Sequence, residues 1–176
     1  MMQVDNTAGL IFGGDAPPKT AATEEWNGTN WTEVADLSTA RAYMNGGAGT
    51  STAGLAFGGE TATARTAATE EWTGAGAAVG AWATSTSINT GRDQLSGAGT
   101  YTSSLIFGGH GPGYKNETES WNGSSWTEVN NLTTARSQGA GFGTDNTAAL
   151  FTGGSTPSVS ALTENWNGTN WTEVND

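Results

Sequence analysis

Very few residues of this 176-residue chain could perform catalysis or hold a metal. The sequence has no cysteine and a single histidine, His110, which excludes thiolate chemistry and the multi-histidine sites of zinc or copper. His110 lies in the run GGHGPGYK, beside Tyr114 and Lys115, with no carboxylate or nucleophile fixed next to it. We therefore expect no catalytic residue, no metal and no cofactor. The three side chains are candidates for ligand binding, with ordinary loop residues as the alternative.

The charge of the chain restricts its partners. Six Lys and Arg residues against 17 Asp and Glu residues give a net charge of −11. Nucleic acids and anionic membranes attract dense positive charge, so neither is an expected partner. No apolar run reaches the roughly 18 residues of a membrane helix, so no membrane insertion is expected. The start, MMQVDNTAGL, also lacks the basic and apolar regions of a signal peptide.

A repeat organises the whole sequence. In each of four copies an apolar run ends in a Gly-Gly pair, and successive pairs are 45, 50 and 45 residues apart. A Thr-Glu-x-Trp run follows each pair and ends at Trp26, Trp72, Trp121 or Trp166. A second tryptophan comes next, at Trp31, Trp82, Trp126 or Trp171. Three copies then continue to an arginine and a glycine-rich run, with the arginines at Arg41, Arg92 and Arg136.

Each period therefore holds four strand-sized segments, which is the size of a β-propeller blade. Strands at the centre of a propeller converge and need small side chains, and the arginine-led segment supplies runs such as GAGT. No window has the 3.6-residue apolar spacing of a helix. We expect an all-β single domain of about four four-stranded antiparallel blades, at approximately residues 1–36, 37–88, 89–131 and 132–176. A stacked array of four-stranded sheets is the alternative.

The number of segments leaves the first blade short of its inner strand, because three arginine-led segments stand against four of every other kind. Met1–Val4 could be only a stub of that strand. Three arrangements stay open. The chain closes alone as a four-bladed ring, it joins other copies as a homo-oligomer that completes a larger propeller, or it is a piece of a longer polypeptide.

The order of arginine, glycine-rich strand, apolar strand, Gly-Gly, loop, Glu-x-Trp, turn and Trp resembles the kelch repeat. In that family Gly-Gly ends the second strand, an aromatic residue closes the third and a Trp opens the fourth. The third-strand aromatic is Trp here, where the family more often has Tyr. Acidic, Asn- and Thr-rich units such as WNGTNWTEV are similar to kelch-like proteins of marine bacteriophage virions and related environmental bacteria. The resemblance implies a β-propeller fold and a virion or cell-surface location.

An Asn-Gly pair separates the third and fourth segments in three copies and predicts a two-residue type I′ hairpin turn. In such a hairpin Trp26 pairs with Thr29. Glu24 then pairs with Trp31, and the two tryptophans lie diagonally on one face. We interpret the tryptophan pairs as packing between blades, with a sugar-stacking platform as the alternative.

A glutamate stands two residues before the first tryptophan of every copy, at Glu24, Glu70, Glu119 and Glu164. A carboxylate buried on the tryptophan face needs a partner. Only Arg41, Arg92 and Arg136 recur in register among the basic residues, so we predict Glu–Arg pairs. The first copy lacks its arginine, so one glutamate should be left over unless another chain supplies the partner.

The loops after the Gly-Gly pairs differ from copy to copy, and variable loops on a repeated frame are where binding specificity resides. They contain the candidate binding residues Asp15, Glu60, His110, Tyr114 and Lys115. We expect a non-enzymatic structural or binding module of a phage virion or a cell surface, which contacts a protein or a glycan through its loops. The alternatives are a lectin-like carbohydrate-binding module and a kelch-type interaction adaptor.

Overall fold

The computed structural model describes residues 7–44, 47–74 and 80–175. Within these ranges fifteen β-strands form four antiparallel sheets, and no helix occurs. Met1–Val4, the suggested stub of a first strand, lies outside the described residues. The described ranges contain no helix that is long and apolar enough to span a membrane.

Each sheet comes from one copy of the repeat, and its strands lie side by side in chain order. The first sheet contains β1 (Gly9–Gly14), β2 (Thr20–Trp26) and β3 (Trp31–Val34). The second contains β4 (Gly47–Gly49), β5 (Ala53–Phe57), β6 (Thr69–Thr73) and β7 (Ala81–Ser85). The third contains β8 (Ser96–Thr100), β9 (Ser103–Phe107), β10 (Thr118–Trp121) and β11 (Trp126–Val129). The fourth contains β12 (Ala140–Asp145), β13 (Ala148–Thr152), β14 (Thr163–Trp166) and β15 (Trp171–Val174).

The sheets converge at the strands that the glycine-rich segments form. Strand β8 lies next to both β4 and β12, so the inner strands of three sheets are neighbours. A Cβ atom at Gly97 would lie 2.6 Å from the ring of Phe57, a residue of the preceding sheet. At Gly141 it would lie 2.8 Å from the ring of Phe107, again one sheet back. Glycine at the inner strand is therefore what lets an aromatic ring of one sheet fit against the next.

The three junctions between successive sheets share one construction. The phenylalanine before Gly-Gly meets, edge to face, the tryptophan at or next to the start of the last strand of the next sheet. The ring centroids are 4.9 Å apart for Phe12–Trp82, 5.8 Å for Phe57–Trp126 and 4.9 Å for Phe107–Trp171. The same indole donates to a threonine hydroxyl of the preceding sheet, over 3.0 Å in Trp82–Thr23, 3.1 Å in Trp126–Thr69 and 3.0 Å in Trp171–Thr118. The tryptophans therefore join neighbouring sheets.

The hairpin register differs from the prediction. Trp26 pairs directly with Trp31, and Glu24 pairs with Glu33, so the predicted pairing of Trp26 with Thr29 and of Glu24 with Trp31 was wrong. The two indoles lie opposite each other, with ring centroids 5.5 Å apart. The same direct pairing recurs in the other three sheets.

The asparagine side chain explains this register. The Asn27 backbone N–H donates to the Asn30 carbonyl over 3.3 Å, which closes a loop of the four residues 27–30 instead of a two-residue turn. The Asn27 Oδ1 accepts the backbone N–H groups of Thr29 and Asn30, each over 3.0 Å. Asparagine stabilises such loops through its own side chain, and Gly28 supplies the positive φ of 92°.

Candidate functional site

The glutamates and arginines that recur in the sequence form buried ion pairs in three sheets. The nitrogen-to-oxygen distance is 2.9 Å for Arg41–Glu70 and 2.7 Å for Arg92–Glu119, and Arg136 bonds Glu164 in the same way. Every one of these side chains is 2% exposed or less. The predicted Glu–Arg pairing is thus present wherever a copy has its arginine.

The carboxylate oxygens of these pairs are all hydrogen-bonded, although each guanidinium keeps one buried nitrogen without a partner, and this arrangement indicates a structural role. The Arg92 Nε donates to the Gly108 carbonyl over 3.0 Å, so the guanidinium also holds the Gly-Gly bend. The second carboxylate oxygen of Glu119 accepts the Asn89 N–H over 2.8 Å. Burial lowers the pKa of the Arg41 guanidinium, and the charge of Glu70 partly offsets that effect. With every carboxylate oxygen occupied, none of the three glutamates is free to act on a ligand.

Glu24 is the exception that the sequence predicted. It occupies the same position in the first sheet but is exposed, and it forms no ion pair with any residue in the described ranges. The first sheet has three strands and no arginine-led strand.

The loops form a different kind of site, on the side of the sheets where the Gly-Gly pairs end the second strands. Two positions per copy define what we call the loop row. The first position follows Gly-Gly and is Asp15, Glu60, His110 or Ser155. The second lies near the end of the same loop and is Lys19, Arg65, Tyr114 or Val159.

Each contact along the loop row joins two neighbouring sheets in the same direction. The second position of one sheet meets the first position of the next. The distances are 2.7 Å for Lys19 Nζ–Glu60 Oε1, 2.9 Å between the Arg65 guanidinium and His110 Nδ1, and 3.4 Å for Tyr114 hydroxyl–Ser155 Oγ. The same two positions thus form an ion pair at the first junction, a cation–imidazole contact at the second and a pair of hydroxyl groups at the third.

Asp93 contacts Arg65, in the middle of the loop row, from the buried side of the row. Its side chain is 1% exposed, and the Arg65 Nε lies 3.1 Å from its Oδ1. The N–H does not point at that oxygen, so the contact is an ion pair without a hydrogen bond. Arg65 has no acceptor atom, so the Nδ1 of His110 is the acceptor in this contact.

Tyr43 joins the row at its first-sheet end. Its hydroxyl donates to Asp15, and this hydrogen bond raises the pKa of the Tyr43 hydroxyl above its ordinary value of 10.0. The Lys19 ammonium lies 5.4 Å from the centre of the Tyr43 ring. The hydrogen bond from Lys19 also lowers the pKa of Glu60 below its ordinary value of 4.5, against the effect of burial.

Tyr43 also begins a backbone chain that crosses three sheets. It has a positive φ of 57°, as do Gln94 at 54° and Gln138 at 62°, and each stands two residues after the recurring arginine. The Gln94 N–H donates to the Tyr43 carbonyl over 2.8 Å, and the Gln138 N–H donates to the Gln94 carbonyl over 3.0 Å. Left-handed backbone is unfavourable for these residue types and is maintained where surrounding structure requires it. Here the surrounding structure is this chain of backbone hydrogen bonds, which connects the three residues across neighbouring sheets.

The structure brings four of the five sequence-predicted binding residues into the loop row. Lys115 is the exception, because its ammonium pairs with Glu117 over 3.1 Å. Burial opposes ionisation of Glu117, but hydrogen bonds and Lys115 outweigh it and lower the pKa of that carboxyl. Sequence reasoning missed Lys19, Tyr43, Arg65 and Asp93. Lys19 and Arg65 stand in loops of unequal length, and the partners of all four residues belong to a neighbouring sheet.

The tryptophans are poorly placed for stacking on a ligand. Trp72 and Trp121 are 0% exposed, and Trp126, Trp166 and Trp171 are 6% exposed or less. Trp31 differs, since 42% of its surface is exposed. No three His, Cys, Asp or Glu side chains within the described ranges are grouped closely enough to hold a metal ion.

The four sheets and their repeated junctions define a β-propeller-like fold. The solved structure of YjhT supports this, with a TM-score of 0.71 over 89% of this chain at 15% sequence identity. The matched region is 53% of the YjhT chain, so this chain spans about half the length of that protein. No family model and no curated protein sequence matches the chain.

Proposed function

We propose that this protein is a non-enzymatic binding scaffold whose loop row contacts a partner macromolecule. The observation that carries the proposal is the row itself. Three successive junctions repeat one contact geometry, yet the side chains change from Lys19–Glu60 to Arg65–His110 to Tyr114–Ser155. A frame that needed these contacts only for stability would have no reason to vary them while it keeps its tryptophans, glutamates and arginines constant.

A protein surface is the partner that the row fits best. The row extends over four sheets as a line, not a closed pocket, and it displays tyrosine and arginine, which dominate protein–protein contacts. Tyr43 is 42% exposed, and the Arg65 side chain is 36% exposed. Three carboxylates, on Asp15, Glu60 and Asp93, stand against two cations, on Lys19 and Arg65, so the line is slightly acidic. With a net charge of −11, long-range attraction favours a basic partner surface.

A displayed library of random peptides tests the proposal on the full chain. Peptides selected on the wild-type protein should carry excess Lys and Arg. They should bind a Tyr43→Ala/Tyr114→Ala variant about tenfold more weakly or worse, because two aromatic contact residues are lost without a change of charge. Thr127→Ala, an exposed change on β11 outside the row, is the matched control and should bind like wild type. Equal binding to the row variant, or no enrichment of peptides at all, would refute a protein-binding row.

A lectin-like function is the second candidate, and the ring contact between His110 and Tyr114, with centroids 5.3 Å apart, favours it. Both residues are half-buried, and the accessible part of an aromatic ring beside hydrogen-bonding groups suits a sugar face. An array of immobilised oligosaccharides separates the two candidates. Saturable binding that disappears in Tyr114→Ala would establish the lectin, whereas an array without signal leaves the protein partner.

The proposal extends to location. A phage virion or a cell surface suits a cysteine-free, acidic scaffold that acts by contact. The similarity of its Asn- and Thr-rich units to kelch-like virion proteins supports that placement. Immunogold labelling of intact particles with antibody against the chain is the direct check.

A further inference from the structure

We propose that a second copy of this chain docks head-to-tail on the first, so that the fourth sheet of one copy packs against the first sheet of the other. This goes beyond the loop-row function and does not depend on it. The surfaces concerned are the outer faces of the two terminal sheets. We call them the leading face (Ile11, Glu24, Trp26 and Trp31) and the trailing face (Phe142, Leu150, Thr152, Asn165 and Val174).

The leading face is exposed at positions that are buried elsewhere in the repeat. Trp31 is 42% exposed, whereas the equivalent Trp126 and Trp171 are each 6% exposed. Ile11 is 38% exposed, whereas the equivalent Ile106 is fully buried. The Trp31 indole N–H donates to no acceptor in the described ranges. Its equivalents in the other three sheets all donate to a threonine of the sheet before.

The trailing face shows the matching exposure on the fourth sheet. Leu150 is 40% exposed, whereas its equivalents Leu10, Leu55 and Leu105 are fully buried. Phe142 is 58% exposed at a position where Ala48 and Ala98 are buried. Phe142, Leu150 and Asn165 line a hollow of about 240 Å³.

These two faces are the two halves of the junction that occurs three times inside the chain. In the junction between the second and third sheets, Ala48, Leu55 and Phe57 of one sheet pack with Trp121 and Trp126 of the next. The following junction repeats the arrangement one sheet further along. By register, Leu150 corresponds to Leu55, and Trp31 corresponds to Trp126. Docking would therefore continue an established interface, with Thr163 in the position of the threonines that accept an indole N–H.

The residues of the trailing face keep the aromatic content of that junction. Interior sheets place alanine on the first strand and phenylalanine before Gly-Gly, as in Ala48 and Phe57. The fourth sheet reverses the sizes, with Phe142 on the first strand and Thr152 before Gly-Gly. The trailing face therefore keeps one phenylalanine ring, but on its first strand instead of its second. Phe142 could thus contact the Trp31 indole of a second copy.

The partner that fits these surfaces is a second copy, because every chain carries both the leading face and the trailing face. A contact between two different faces is heterologous, and it closes into a ring when the rotation fits. Two copies of four sheets give eight blades, the upper end of the usual range of about four to eight. The docking would also place Val159, which is 94% exposed, beside Asp15 of the other copy and complete the loop row.

Native mass spectrometry and sedimentation equilibrium of the full 176-residue chain test the docking. The wild type should have twice the 17.9 kDa of one chain. Trp31→Glu and Leu150→Glu each place a charge on one face and should weaken self-association about 100-fold or more. Thr127→Glu, on an exposed position outside both faces, is the charge-matched control and should stay dimeric. Cooperative urea unfolding at protein concentrations low enough to keep the wild type monomeric shows that the variants fold.

A mixture of the two variants identifies the head-to-tail geometry. Trp31→Glu keeps the trailing face, and Leu150→Glu keeps the leading face, so an equimolar mixture should form a one-to-one complex although neither variant self-associates. Docking would bury the carboxylate of Glu24, which has no arginine partner. Glu24→Gln removes that charge and should therefore tighten self-association severalfold relative to wild type. A monomeric wild type, a mixture that stays monomeric, or no effect of either charge would overturn the proposal.

Discussion

The third and first sheets contain the same Thr-Glu-x-Trp segment and treat its glutamate in opposite ways. Glu119 is 1% exposed and lies 2.7 Å from Arg92, whereas Glu24 is exposed. The two segments differ little in sequence, TESW against TEEW. What differs is the inner strand, which brings the arginine and covers the carboxylate. Burial of the glutamate is therefore a property of the complete four-stranded unit and not of its own strand.

The tryptophans of the same two sheets show the same contrast. Trp126 packs against Phe57 of the preceding sheet and donates to Thr69, whereas Trp31 contacts Trp26 of its own sheet and stays 42% exposed. Each sheet thus stabilises the one before it. The first sheet is the only described sheet with no sheet before it in the chain.

The largest effect is expected from alanine at the buried glutamate. Glu119→Ala leaves Arg92 as an uncompensated buried charge and should lower the free energy of unfolding by about 3–5 kcal/mol. Glu24→Ala, the matched change in the first sheet, should cost less than about 0.5 kcal/mol. Urea unfolding at pH 7 and low protein concentration measures both. Equal costs at the two positions would contradict the role assigned to the inner strand.

The next effect concerns the second tryptophan of each hairpin. Trp126→Ala opens a cavity between the second and third sheets and should cost about 3–4 kcal/mol. Trp31→Ala removes a side chain that is 42% exposed and should cost about 1 kcal/mol or less in the monomer. Thermal unfolding of dilute protein provides a second measurement. A loss at Trp31 as large as that at Trp126 would show that the first sheet has a covering partner even in the monomer.

The repeated features of the fold were predictable because each recurs in register along the chain. Gly-Gly and the paired tryptophans occur in all four copies and the Glu–Arg pair in three, so their spacing identified both the strands and the left-over Glu24. The hairpin register was not predictable from Asn-Gly alone. The Asn27 side chain accepts two backbone N–H groups and favours a four-residue loop, and this preference outweighed the two-residue turn.

The candidate site was only partly predictable. Asp15, Glu60 and His110 follow Gly-Gly directly and are identified by position. Lys19 and Arg65 stand at the ends of loops of different length, and their partners belong to the next sheet, so no spacing within one copy relates them. The positive φ of Gln94 is likewise set by a hydrogen bond to another sheet.

The smallest effect is expected in the loop row. The hydrogen bond from Lys19 lowers the pKa of Glu60, so this pair stabilises the fold above the ordinary carboxyl pKa of 4.5 and loses that contribution as pH falls through the lowered value. Glu60→Gln should therefore be less stable than wild type at pH 7 by about 0.5 kcal/mol or less, as for other accessible pairs. The difference should shrink as the pH falls below the ordinary carboxyl pKa, as followed by urea midpoints. A difference that grows on acidification would contradict the pairing.

The central claim is that the second tryptophan of the second, third and fourth sheets joins its sheet to the sheet before it, in the same register each time. Double-mutant cycles measure this directly, with Trp126→Phe combined in turn with Thr69→Val and with Thr23→Val. The structure predicts a coupling of about 1 kcal/mol with Thr69, the observed acceptor, and none with Thr23, which accepts from Trp82. Trp82→Phe should show the reverse preference. Equal coupling of Trp126 to both threonines, or coupling to neither, would contradict the arrangement of sheets described above.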